Sequence, residues 1–167
     1  MKRIAFLLFT IAFSVFASAE SNDFKFAYHG FNFYIPEAPK SAGFLGSVND
    51  TVVVKYGDKP GENLIGFSVE NKMKTGGCEP GAFFKETLGV VKAGCDELAI
   101  ESFRHVFVDD RDAGVWSGEN YDFYYFIGDT RTTVFLVSGT LDTGILKVDS
   151  NFLTKKLMKR VFKEYLH

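Results

Sequence analysis

The 167-residue chain predicts a single α+β domain, an antiparallel β-sheet with two packed helices, following an N-terminal signal peptide. Three observations predict it. Short runs of aromatic and β-branched residues alternating with polar ones recur along the chain, each bounded by Gly, Pro, Asn or Asp, as half-buried strands require. Two stretches, around Phe83 and Leu157, instead repeat apolar residues at three- and four-residue spacing, the mark of a helix with one buried face. The third observation is the leader. Lys2 and Arg3 precede an apolar run from Ile4 to Phe16, interrupted only by Thr10 and Ser14 and closed by Ala17-Ser18-Ala19. A basic start, a short apolar stretch and a small-residue cleavage site make a secretory signal over residues 1–19. The run is shorter than the roughly 20 residues that span a bilayer, and no stop-transfer pattern follows. Residues 20–167 are then one exported domain without a transmembrane anchor, periplasmic in a Gram-negative bacterium or secreted.

Residues 24–28 and 31–35 are aromatic runs separated by His29-Gly30, a hairpin signal. Pro36 and Pro39 end the second strand, and 41–50, rich in Gly and Ser, reads as a loop. Residues 51–56 are strongly β-branched, Gly57-Asp58-Lys59-Pro60-Gly61 is a dense turn signal, and 63–70 is the fourth strand before any helix. Gly76-Gly77 leads into Glu79-Pro80, an acidic residue and a proline suited to a first helical turn. Phe83, Phe84, Thr87, Leu88 and Val91 then share one face, with Lys85, Glu86, Gly89 and Lys92 opposite. Residues 98–108 read as a strand, although Asp96-Glu97-Leu98 could begin a helical turn. Strands at 113–117, 121–127 and 131–138 follow, the last two joined by Gly128-Asp129-Thr130 as a hairpin. Asp149 or Ser150 caps a closing helix whose apolar face is Leu153, Leu157, Met158, Val161, Phe162 and Tyr165.

Composition narrows the function. Removing Lys2 and Arg3 leaves 17 basic against 21 acidic residues, a formal charge of −4, which argues against a nucleic-acid partner. The charge is uneven, because Lys155, Lys156, Lys159, Arg160 and Lys163 concentrate near the C-terminus. The basic helix face Lys156, Lys159, Arg160 and Lys163 is a solvated surface in the plainer reading, and a contact for an acidic partner or anionic membrane in the sharper one. Nineteen phenylalanines supply a core or a binding surface built upon it.

Cys78 and Cys95 form an even pair in an exported chain, so a disulfide is the expectation. Geometry sets a condition on it. An unbroken helix between them would hold their Cα atoms about 25 Å apart, whereas a bridge needs less than about 7 Å. The helix must therefore stop early and the chain double back, which Gly89 and Gly94 permit.

In this element order, and in the aromatic opening Gly30-Phe31-Asn32-Phe33-Tyr34-Ile35-Pro36, the chain resembles the PsbP-like α/β/α sandwich group, which includes small exported bacterial proteins. The resemblance covers most of the chain after the leader. It implies an α/β/α sandwich and a binding or assembly role, since members of that group act mostly as partners of other proteins. It brings no catalytic residues with it.

Motifs of catalysis are thin. His29, His105 and His167 are far apart in sequence and show no metal-ligand spacing. His105 near Asp109, Asp110 and Asp112 could do acid–base work, but the alternation Phe103, His105, Phe107 places it on a sheet face as a structural residue. Gly66-Phe67-Ser68-Val69-Glu70 has only the first half of a nucleophile elbow. Asp110-Arg111-Asp112-Ala113-Gly114 resembles a calcium loop, yet Gly114 takes the third ligand position and Tyr121 the place of the bidentate Glu. Asn49-Asp50-Thr51 has the form of a glycosylation sequon.

What remains is a surface. Trp116, the only tryptophan, stands close to Tyr121, Tyr124 and Tyr125, residue types that anchor interfaces. Trp116 is either core or, if it shares an exposed face with two of those tyrosines, part of a binding site. The expectation is an exported, non-enzymatic protein-binding module without cofactor or metal, in concrete form an immunity or envelope-assembly accessory protein. The alternative is a carrier of a small apolar ligand in a phenylalanine-lined pocket between helix and sheet.

Overall fold

The computed structural model describes residues 23–45, 50–71, 73–138 and 145–166. The expected signal peptide over 1–19, Asn49 of the sequon and His167 lie outside the described residues. The elements are β1 (Asp23–Tyr28), β2 (Phe31–Pro36), β3 (Ser41–Leu45), β4 (Thr51–Lys55), β5 (Leu64–Glu70), α1 (Pro80–Thr87), α2 (Glu97–Phe107), β6 (Asp112–Ser117), β7 (Asp122–Ile127), β8 (Thr132–Val137), β9 (Ile145–Ser150) and α3 (Lys155–Val161). The class is α+β. β1 and β2 pair as a separate hairpin, while the other seven strands form one sheet in the order β3-β4-β5-β9-β8-β7-β6, antiparallel throughout.

Strand alternation sends successive side chains to opposite faces, and each face has its own core. On one, Ile65, Phe67, Phe123, Val134, Leu136, Leu146 and Val148 meet Phe33 and Ile35 of the hairpin and Met158, Val161 and Phe162 around α3. On the other, Tyr124, Phe126, Phe135, Val137 and Ile145 meet Phe83 and Phe84 of α1 and Ile100 and Phe103 of α2. The phenylalanines hold both cores. Phe84 stacks on Tyr124 at 4.7 Å, and Phe103 stands edge-on to Phe83 and Phe84 at 5.3 and 5.5 Å; such pairs add about 0.5–1.5 kcal/mol beyond burial.

Three expectations are corrected. The 98–108 segment is helix α2, not a strand. Asp96 caps it by accepting from the Ala99 backbone N–H at 2.9 Å, and Ile100, Phe103 and Phe107 face the core at helical spacing; the aromatic alternation at 103 and 107 fits both periods. The 41–50 loop contains strand β3, so five strands precede the first helix. The closing helix starts later than predicted. Residues 145–150 form β9, inserted between β5 and β8, and α3 is capped by Thr154. Asp149 therefore lies in a strand, while the Ser150 hydroxyl accepts from Phe152 and Leu153 N–H groups in the turn that follows. There are three helices among the described residues instead of two.

The condition on the disulfide is met. α1 stops at Thr87, and Gly89, at φ 72°, takes the left-handed position past the cap. The Val90 N–H donates to Lys85 O and the Gly89 N–H to Glu86 O, the paired bonds that close a helix on a glycine. The chain turns back through Gly94, at φ 78°, and the Glu86 carboxylate accepts from Ala93 N and Cys95 N at 2.9 and 3.1 Å. Those backbone donors, led by Cys95, hold its carboxyl below the usual range. Cys78 and Cys95 are bridged, with Cα atoms 5.4 Å apart.

Candidate functional site

α1 and α2 cover β7 and β8 and reach β9 only at Ile145. Among the described residues the β9–β5 side of that sheet face stays open, and a cleft of about 510 Å³ runs between it and α2. Its helix wall is Leu98, Ala99, Ser102, Phe103, Val106 and Phe107; its floor is Phe135 of β8, Lys147 of β9 and Glu70 of β5, with Met73, Lys74 and Asp96 at one end. The walls follow from the helical period. Residues 99, 103 and 107 turn toward the sheet, while 98, 102 and 106 form the adjoining stripe along the rim. Leu98 is 72% exposed and Val106 52%, so the rim carries apolar groups that stay exposed among the described residues.

The floor is polar and internally paired. Lys147, with a side chain only 16% exposed, lies 3.5 Å from Glu70 and 3.1 Å from Asp149, its ammonium 5.9 Å above the Phe135 ring centre. Arg131 reaches Asp149 at 2.8 Å, and the Thr133 hydroxyl donates to the same carboxylate at 2.6 Å. Burial alone would raise the Asp149 carboxyl, but Arg131, Lys147 and Thr133 together bring it below the usual carboxylate range.

The aromatic candidates divide between the faces. Tyr124 points under α1, stacked on Phe84, its hydroxyl donating to Gly81 O and Asp122 at 3.3 Å; burial and Asp122 push its pKa upward. Trp116, Tyr121 and Tyr125 share the opposite face, all half-buried. Trp116 stacks on Tyr125 at 4.6 Å, and Gly114 makes this possible: a Cβ there would stand 2.5 Å from the Tyr125 hydroxyl. Lys155 closes the stack from α3, 4.1 Å from the Tyr125 ring centre and 2.8 Å from Asp112. Hydrogen bonds to Asp112 and Tyr125 hold the Lys155 pKa above its ordinary value. Tyr121 packs edge-on against Phe31 and Tyr165. Three of the four aromatics thus meet on one face, partly covered from within.

The basic helix face is divided too. Arg160 and Lys163 pair with Asp23 at 2.7 and 2.6 Å, a side chain only 6% exposed, and Lys163 also lies 4.0 Å over the Tyr34 ring. These cations fasten the start of β1 to α3; Lys156 and Lys159 remain on the solvent side. His105 stands on the exposed side of α2, 3.9 Å from Asp109, and does not line the cleft. Asp112, from the calcium-like stretch, is engaged by Lys155. Ser68 is buried in β5 and its hydroxyl donates to Glu70 at 3.5 Å. Cys78, Glu86 and Cys95 cluster closely enough to resemble a ligand set, but both sulfurs belong to the disulfide.

Sequence reasoning missed Lys147 and Glu70 as a half-buried pair. Lys147 sits in the unrecognised strand β9, and without that strand nothing places it opposite Phe135. The usable signal was the alternation Ile145, Lys147, Asp149 against Leu146, Val148, Ser150. No helix among the described residues is long and apolar enough to cross a membrane. Comparison with known proteins finds no matching family model, curated protein or solved structure.

Proposed function

We propose that the protein is an exported, non-enzymatic binding protein, periplasmic or secreted, that carries a small apolar ligand in the cleft between α2 and the sheet. The observation that carries this reading is the cleft itself. Its 510 Å³ falls within the roughly 300–1,000 Å³ of small-molecule sites, and an apolar wall with few polar groups is the usual lining of such sites. Half-buried Phe107 supplies aromatic surface over the buried rings of Phe103 and Phe135, and the exposed Leu98 and Val106 give a ligand apolar area to bury. The leader pattern and the disulfide support export.

A second reading, a protein-binding module of the immunity or envelope-assembly kind, is favoured by a different observation. β3 forms one edge of the sheet, all five of its residues are exposed, and its sequence Ser-Ala-Gly-Phe-Leu has none of the charges or prolines that blunt an edge. A partner strand could extend the sheet there. The PsbP-like grouping would sit with this reading. Native mass spectrometry of the protein taken gently from its host's envelope fraction separates the two. Added mass of a few hundred daltons, lost on Val106→Asp, is the expected result. Added mass of protein size, retained in that variant, would replace the carrier with the second reading.

A further inference from the structure

We infer that the ligand of the α2 cleft is uncharged, an apolar body lying along the helix with at most a neutral hydrogen-bonding group at Lys147. The inference rests on the carrier reading and adds the chemical class of what is carried. α2 extends over 11 residues, or about 16 Å at 1.5 Å per residue, so the wall suits an elongated molecule. The charges around it cancel. Lys74 and Asp96 contribute one charge of each sign to the lining at one end, and on the floor Lys147 stands between Glu70 and Asp149, with Arg131 balancing the second carboxylate.

On the floor that balance is held at close range, so the floor selects against charge of either sign. An anionic head approaching Lys147 would come up against two carboxylates already within 3.5 Å of its ammonium. A cationic head approaching Glu70 would come up against Lys147. Moving an ion from water onto a floor where every opposite charge is engaged costs its hydration without a new partner. A neutral acceptor pays no such penalty, because an ammonium has three N–H donors and two carboxylates leave one available.

The test uses two probes with one ring system: uncharged N-phenyl-1-naphthylamine and its anionic sulfonate, 1-anilinonaphthalene-8-sulfonate, each titrated by fluorescence into the protein from residue 20 onward. The uncharged probe is expected to bind saturably, at least tenfold more tightly than the sulfonate. Val106→Asp and Leu98→Asp, both changes at exposed positions, each weaken it at least tenfold; Val115→Asp, on the far edge strand, leaves it unchanged. Glu70→Gln, which leaves Lys147 with one carboxylate fewer, narrows the gap between the probes severalfold. A sulfonate bound as tightly as the neutral probe, yet still sensitive to Val106→Asp, would overturn the inference and leave the cleft as the site. Absence of saturable binding by either probe, or binding insensitive to both rim variants, would overturn the carrier reading with it.

Discussion

On one face of the seven-stranded sheet, the β1–β2 hairpin and α3 cover strands from β4 across to β7; on the other, α1 and α2 cover β7 and β8 and stop at β9. The covering elements are fastened differently. α3 and the turn after it reach across their layer with cations, Arg160 and Lys163 to Asp23 and Lys155 to Asp112, so these polar residues seal the packing. α2 leaves Leu98 and Val106 exposed along the rim, beside a sheet surface whose charges are already paired among themselves. An apolar rim beside a self-satisfied polar floor is not what a solvated surface requires. The closed face is sealed by its own residues, and the half-open face leaves apolar area uncovered among the described residues, which the proposed ligand would bury.

The largest effect should come from breaking the closed face. Phe162→Ala removes a fully buried ring and is expected to cost about 3–5 kcal/mol in urea unfolding, whereas Phe107→Ala, half-buried at the cleft, should cost about half that while abolishing probe binding. Equal costs at the two sites would erase the distinction between the faces.

Next in size is the disulfide. Replacing Cys78 and Cys95 together by Ser is expected to lower stability by about 3 kcal/mol. Hydrogen exchange should speed most in α1 and α2 and least in α3, because the bridge closes the helical layer of the half-open face alone. Uniform acceleration would contradict that division.

The smallest effect sharpens the comparison by pH. The Asp149 carboxyl is held below its unfolded value, so its contribution to stability is complete above the unfolded carboxylate pKa of about 3.9 and is lost as pH falls through the lower, folded value. Asp149→Asn should flatten this acid limb, seen as a smaller drop in melting temperature between pH 5 and pH 2.5. An unchanged limb would show that the floor network contributes nothing to stability.

How much of this could be read in advance varied with how local the signal was. The first hairpin, β4, β5 and the strands β6 to β8 follow from alternation and turn residues, and the bridge follows from Gly89 and Gly94 between the two cysteines. α2 was obscured because Phe103 and Phe107 satisfy both periods, and the cap at Asp96 decided between them. β9 was missed because a lysine and an aspartate at 147 and 149 look like surface until β5 and β8 flank them. The aromatic set near Trp116 was legible as residue types, yet the alternation of β7 sends Tyr124 to the other face. The cleft was not legible, since it arises from where α2 ends relative to the sheet, a long-range arrangement with no local motif. The idea of a phenylalanine-lined space between helix and sheet was available from composition alone; its place and its charge were not.

The most direct measurement is amide and methyl chemical-shift mapping by NMR as uncharged N-phenyl-1-naphthylamine is added to the protein from residue 20 onward. Shifts concentrated on Leu98, Ala99, Val106, Phe107 and Lys147, with Trp116, Tyr121 and the β3 edge undisturbed, are the expected result. Shifts gathered on Trp116 and Tyr121, or along Ser41–Leu45, with the α2 residues silent, would contradict it.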